Sequence, residues 1–275
     1  MKLAIGLVLS HGFPAPTRFW DSYELMMHHI ASGQTNALLP SDKAITDVRR
    51  IKSVAFPVDV ARNEVCREML DKSDADYLFF MDADMVFPMD VVGRLVAHDV
   101  PVVSARYHMR SEPHHAVAYV KHRLHSGPNA YAPVHYGRGL IEIERGGAGA
   151  LLIRRDVLET LRARGGDNWF RYQRGPEPPH DFTVSEDFWF YRQVREAGFK
   201  TFCDWDLICG HLQEMAIDDK LNRWYVQAQE QALLTMSPEA KQAALDALVC
   251  CGLPDGHRVA SGDIVPPYFV TDGER

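Results

Sequence analysis

Cysteine is scarce and scattered: five residues, Cys66, Cys203, Cys209, Cys250 and Cys251, with no C-x-x-C pair among them. That excludes a disulfide framework and a cysteine zinc site, and it fits a reducing cytoplasm. Positive charge is not in excess either. The net charge is −7, so the molecule as a whole is no general binder of polyanions. No stretch is long and apolar enough to span a membrane. The opening "MKLAIGLVLSHGFPAP" has a short apolar run with no clear small-x-small cleavage site, so Leu3–Leu9 reads as a buried strand rather than the core of a signal peptide. Neither G-x-x-x-x-G-K-[ST] nor G-x-G-x-x-G occurs, which argues against a P-loop ATPase and a dinucleotide-dependent dehydrogenase. There is no internal repeat, and no feature points to a protein partner.

What is present is an ordinary globular composition, with 275 residues, 46% hydrophobic and 24% charged, enough for a sizeable core. Strand-like runs at Leu3–Leu9, Asn36–Leu39, Ile51–Phe56, Tyr77–Met81 and Val100–Ala105 alternate with helical patterns. The helices are predicted at Trp20–Ile30, at Val60–Leu70 with Asp59 as N-cap, and from Pro88 to about His98. This order predicts an α/β fold with a mainly parallel sheet and helices on both faces. From Tyr107 to Arg138 the pattern weakens, and only short strands such as Ala116–Val120 are predicted. Leu140–Glu144 alternates as a half-exposed strand does. "RGGAGALLIRRDVLETLRARGG" gives a glycine-rich turn, a strand, and a helix from near Asp156. Ser185 caps a helix that Gly198 ends. Phe199–Cys203 and Leu207–Cys209 read as two short strands, and Met215–Leu234 and Pro238–Val249 as helices. The predicted division is a domain over 1–212, carrying an irregular insert at 106–138, and a helical extension over 213–275.

The run Tyr77–Met81 ends in Asp82-Ala83-Asp84. Residues i and i+2 of a strand project to one side, so both carboxylates would face one point if the strand continued. Ligands of open α/β sheets bind beyond the carboxyl ends of the strands. Two close carboxylates there call for a cation or a proton between them. Mg²⁺ or Mn²⁺ with a substrate diphosphate is one answer. A helix cap and a solvated Asp is the other.

These residues have company in a fixed order. "YLFFMDADMVFPMDVVGRLV" is preceded by "DVARNEVCREML" and followed by "GGAGALLIRRDVLE", "SEDFWFYRQVREAGFK" and "CGHL". Together, over about Leu3 to Leu212, they resemble GT-A glycosyltransferases, particularly those related to family 2. The resemblance implies a Rossmann-like GT-A sheet, a nucleotide-sugar donor and a divalent metal. It puts Asp82 at the ribose or metal, Asp84 as the main metal ligand and His211 as a third protein ligand. It sets Arg62 and Asn63 beside the base or diphosphate, and the Ser10-His11 loop as a wall of the nucleotide site. It makes Asp187, or Glu186, the catalytic base, and lines the acceptor side with the glycine segment at Gly147. Separately, Phe188-Trp189-Phe190-Tyr191 surrounds one helix turn with aromatics, which are core or, for one such as Trp189, a platform for a sugar or a base on the acceptor side. The Q-x-x-R-W signature of processive synthases is absent, which implies transfer of a single sugar. No uracil-binding Asp is assignable early in the chain, so a UDP-sugar is the default donor.

Chemically, the leaving diphosphate gains charge, which a metal held by Asp84 and His211 would stabilise. A His-plus-carboxylate set favours Mn²⁺ over Ca²⁺ and leaves Mg²⁺ open. The acceptor hydroxyl loses a proton, which a carboxylate at a helix start can take. Acidic residues there also simply complement the helix dipole.

The insert supplies the acceptor question. It carries Arg106, Arg110, Lys121, Arg123 and Arg138, six histidines and four tyrosines, against the single acid Glu112. Basic side chains among aromatics suit a phosphate-bearing acceptor, nucleic acid included. Some bacteriophage enzymes that resemble GT-A proteins glucosylate hydroxymethylated pyrimidines in DNA, which requires a flipped base. Such DNA stands beside saccharide, lipid and protein acceptors. A nucleotidyltransferase, or a nucleotide-sugar binder without catalysis, also remains open.

Overall fold

In chain order the elements are β1 (Lys2–Val8), α1 (Thr17–Ala31), β2 (Asp47–Ser53), α2 (Val58–Lys72), β3 (Tyr77–Asp82), β4 (Met85–Val86), α3 (Val91–Ala97), β5 (Val102–Arg106), β6 (Ala118–Lys121), β7 (Tyr131–Pro133), β8 (Leu140–Glu142), β9 (Arg145–Gly146), β10 (Ala150–Arg154), α4 (Arg155–Gly165), β11 (Gln173–Arg174), β12 (Phe182–Val184), α5 (Glu186–Glu196), β13 (Thr201–Ile208) and β14 (Gly210–His211). The structure is a computed structural model of the chain. It describes residues 1–9, 14–121, 131–174 and 182–214, with isolated positions between 219 and 239. The chain divides into two units, Met1–Gln213 and Glu214–Arg275. Described positions of the second, such as Asp219, Arg223 and Gln231, are helical; most of the helices predicted there lie outside the described residues.

Seven strands form the central sheet in the order β2-β1-β3-β10-β5-β13-β8. β2, β1, β3, β5 and β13 run one way, while β10 is antiparallel to β3 and β5, and β8 is antiparallel to β13. The expected mixed α/β sheet, mainly parallel and flanked by helices, is what is found. Strands covered on both faces carry apolar residues at every position. Leu78 and Phe80 of β3 pack under α2, α4 and α5 with Val65, Leu158 and Phe190. Tyr77, Phe79 and Met81 pack on the other face with Phe19 and Met26 of α1 and Leu95 of α3. Each such side chain, fully buried, contributes about 1.5–3 kcal/mol. α2 lies so close to β1 that a Cβ on Gly6 would meet Val65 Cγ1 at 2.6 Å. β2, at the sheet edge, keeps Arg50 and Lys52 toward water, charges that discourage edge-to-edge pairing.

Several expected boundaries move. The predicted strand Asn36–Leu39 is instead a 3₁₀ turn over Thr35–Leu38. The Asn36 amide is used to clamp Ile45, donating to its carbonyl at 3.1 Å and accepting from its N–H at 2.7 Å. The Ile51–Phe56 strand begins earlier, at Asp47, and ends at Ser53. Asp59 lies inside the first turn of α2 rather than capping it, because Pro57 takes the N-cap position. The two short strands predicted after Gly198 are one, β13, interrupted by a bulge between Asp204 and Ile208. Buried Asp204 accepts there from the N–H groups of Asp206 and Leu207. Ser185 does cap α5, accepting from Phe188 N–H, and Gly198 takes φ +92° after it.

Candidate active site

β3 ends at Asp82, and Ala83 and Asp84 form a turn before β4. The extended geometry needed to aim both carboxylates at one point therefore stops, and each finds its own partner. Asp82 turns to Arg62, on the second turn of α2. The guanidinium is buried, 2% exposed, and donates to both Asp82 oxygens at 2.9 Å. It also donates to the Ala148 carbonyl at 3.4 Å and lies against the faces of Phe80 and Phe170. Burial opposes the charge, but Asp82 and Asp187, with Glu186, outweigh it and hold Arg62 above its ordinary range. The glycine segment makes the other wall. A Cβ on Gly149 would stand 3.2 Å from Asp82 Oδ2, and one on Gly147 1.7 Å from Tyr107 Oη. Glycine is required at 147 because the Tyr107 ring occupies the space a side chain would need.

Asp84 has other partners. β4 follows it directly and pairs with β14, matching His211 to Met85. That short pairing delivers His211 Nε2 to 3.5 Å from Asp84 Oδ2. His211 Nδ1–H donates to the His108 carbonyl at 2.8 Å, which leaves Nε2 as the nitrogen facing Asp84. Burial works against a charge on His211, but Asp84 and the carbonyl raise its pKa. Burial likewise works against the Asp84 carboxylate, while His211 and then Arg110 hold it low. Arg110 Nη1 sits 3.1 Å from the same Oδ2.

The predicted trio Asp82, Asp84 and His211 does not assemble. Among the described residues no group of three or more His, Cys, Asp or Glu side chains is placed to hold a metal. The donor chemistry of Asp84 and His211 alone does fit a divalent ion. It comprises one carboxylate oxygen and one imidazole nitrogen whose tautomer a backbone carbonyl fixes.

The start of α5 brings two carboxyls beside Arg62. Glu186 is 6% exposed, and its Oε1 lies 3.7 Å from Arg62 Nε. Burial opposes its charge, but hydrogen bonding from Asp187, the Arg62 guanidinium and the Tyr172 hydroxyl hold it low. Asp187 goes the other way. Burial, then the hydrogen bond and charge of Glu186, push it well above the carboxylate range. The two carboxyls are thus pushed apart in proton affinity, Glu186 downward and Asp187 upward. Asp187 Oδ1 is buried with no hydrogen-bond partner among the described residues, an atom that calls for a water or a ligand.

Other predicted residues are placed differently. Asn63 grips the Phe170 backbone, donating to its carbonyl at 2.8 Å and accepting from its N–H at 2.9 Å, so its amide is committed to that loop. Ser10, His11 and Arg123 lie outside the described residues. Arg106 lies over the Trp205 ring at 4.8 Å, and Lys121 is exposed at the end of β6. Gly147 is buried under Tyr107. Phe190 and Tyr191 are core, whereas Trp189 is partly exposed between Arg192 at 4.4 Å and Arg171 at 5.8 Å. Sequence reasoning missed Tyr107, Tyr172 and the His108 carbonyl. Tyr107 had a visible signal, the glycines at 147 and 149 that only a bulky neighbour explains; Tyr172 had none.

No family model matches the chain, and no curated protein does. Solved structures similar to it include A197 from STIV, at 16% identity and TM-score 0.46, over 78% of this chain and 87% of that one. GalNAc-T7 with UDP, GalNAc and Mn²⁺ is similar at 11% identity and TM-score 0.46, over 78% of this chain and 44% of that one; the chain spans less than half of its length. A nucleoside-diphosphate-sugar pyrophosphorylase from Vibrio cholerae RC9 is similar at 10% identity and TM-score 0.42, over 75% of this chain and 92% of that one.

Proposed function

We propose that the chain is a GT-A-type, family-2-like glycosyltransferase that moves one sugar from a nucleotide-diphosphate donor to an acceptor hydroxyl. The observation that carries this is the Asp84–His211 pair at the carboxyl edge of β3. Asp84 Oδ2 and a tautomer-fixed Nε2 lie 3.5 Å apart, while the Glu186–Asp187 pair stands beside Arg62 on the Asp82 side of the motif. Asp84 and His211 would hold Mn²⁺ or Mg²⁺, which when bound would supply positive charge to the leaving diphosphate. Arg62 orients Asp82 and keeps Glu186 ionised. The acceptor oxygen bonds to the anomeric carbon as the bond to the diphosphate oxygen breaks. The hydroxyl proton passes to Glu186, the carboxylate of the pair that is held low, with Asp187 as its hydrogen-bonded partner. Domain 1–212 is the proposed catalytic unit, with 213–275 an extension.

A UDP-sugar is the donor to screen first. The described cysteines, Cys66, Cys203 and Cys209, are buried and unpaired, which supports a reducing, cytoplasmic setting. No helix of the described residues is long and apolar enough to cross a membrane. The test is a donor screen by nucleotide release with Mn²⁺, with plain and hydroxymethylated DNA, saccharide, lipid and peptide acceptors. Nucleoside diphosphate released only with an acceptor supports transfer. Transfer to hydroxymethylated DNA alone would make the protein a DNA-modifying enzyme of the phage type. Pyrophosphate released from a nucleoside triphosphate would make it a nucleotidyltransferase instead. Asp84→Ala is expected to abolish transfer with its melting transition unchanged; full activity in that variant, or in EDTA, would sink the metal reading.

A further inference from the structure

Resting on the metal–diphosphate reading of Asp84, we propose that Arg110 is a resident cation that closes the Asp84 site until a donor diphosphate draws it off, after which it binds that diphosphate. Arg110 Nη1 lies 3.1 Å from Asp84 Oδ2, the oxygen that His211 Nε2 also faces at 3.5 Å. A divalent ion on Oδ2 and Nε2 would stand within a few ångströms of the guanidinium, and like charges at such range repel. The second carboxylate offers no relief. Asp82 is neutralised by Arg62 through two hydrogen bonds of 2.9 Å. Each carboxylate of the motif therefore has its own arginine, and a bare metal ion arriving at Asp84 meets a carboxylate already paired with a cation.

The two arginines differ in freedom. The Arg62 side chain is 3% exposed and that of Arg110 is 53% exposed. Arg110 belongs to the segment that leaves the sheet after β5, whose His108 carbonyl holds His211. It can leave Asp84 without disturbing a core. A diphosphate gives it a place to go, since its oxygens would lie beside Asp84 and accept from a guanidinium in forked geometry. The metal and the diphosphate then enter together, each removing the obstacle to the other. Arg110 changes partner from carboxylate to phosphate and acts as a positioning group for the leaving diphosphate.

The experiment measures Mn²⁺ binding to the full chain by the loss of free-ion electron paramagnetic resonance signal, with and without UDP. The proteins are wild type, Arg110→Ala, Arg110→Lys and Asp84→Asn. Wild type is expected to bind Mn²⁺ alone weakly and to gain at least about tenfold with UDP. Arg110→Ala is expected to bind Mn²⁺ alone about tenfold more tightly and to bind UDP–Mn²⁺ more weakly than wild type. Arg110→Lys, which keeps the charge but not the fork, should behave like wild type toward the bare ion and like Ala toward UDP. If Arg110→Ala binds bare Mn²⁺ as wild type does, while Asp84→Asn loses it, the inference is wrong and the metal site stands. If Asp84→Asn binds as wild type does, or no protein binds Mn²⁺ under any condition, both fail.

Discussion

Two ion pairs flank one turn, and they share chemistry but little else. Arg62–Asp82 and Arg110–Asp84 have contacts of 2.9 and 3.1 Å. The first is lodged in the sheet–helix interface with a guanidinium against Phe80 and Phe170. The second opens to water. In a low-dielectric setting the attraction is strong, and removal of one partner strands a charge. At the surface the same pair is screened and contributes little. The two carboxylates of one motif therefore stand in different settings: Asp82 joins β3 to α2 and, through Arg62, to α5, while Asp84 pairs with an arginine exposed to water.

The comparison breaks most sharply at Arg62. Arg62→Met is expected to lower unfolding free energy by about 3–5 kcal/mol, because Asp82 and Glu186 lose their shared cation; urea titration reads this as a lower midpoint. Gly147→Ala should come next. Its Cβ would collide with Tyr107 Oη at 1.7 Å, for a loss of about 1–3 kcal/mol, and adding Tyr107→Phe should restore part of it. Smallest is Arg110→Ala, expected to change stability by less than about 0.5 kcal/mol even as it alters metal affinity. Were Arg110→Ala to destabilise as much as Arg62→Met, the two pairs would be alike and the contrast false.

What could be read from the sequence follows how local each signal is. β1, β3 and β10 were legible as unbroken apolar runs, and the cap at Ser185 and the stop at Gly198 need only neighbours in the chain. The Thr35–Leu38 turn was not, because the Asn36 amide is claimed by Ile45 nine residues on. Nor was the Asn63 amide's grip on the Phe170 backbone, a partner farther off still. The insert's cations read as one basic surface, yet Arg106 packs on Trp205 and Arg110 pairs with Asp84. Charge counting along the chain does not see such pairings. Glu186 and Asp187 were legible as a candidate pair, but the split of their proton affinities comes from burial and the hydrogen bond between them, with Arg62 and Tyr172 adding to the hold on Glu186, surroundings that only folding supplies.

The reversed direction of β10 has a consequence for how this protein can change. β5 leaves the sheet at Arg106 and β10 re-enters at Ala150, which is paired with Met81 beside Asp82. Departure and return are on the same rim, so the span between them is an excursion rather than a crossover, touching the sheet only where β8 pairs with β13 at its edge. Length and content in that excursion can vary without shifting the register of β3 or β5. What stays fixed in it is the part that serves the site and the core, Tyr107, the His108 carbonyl, Arg110 and buried Ile143 among them, so change is confined to the exposed turns between.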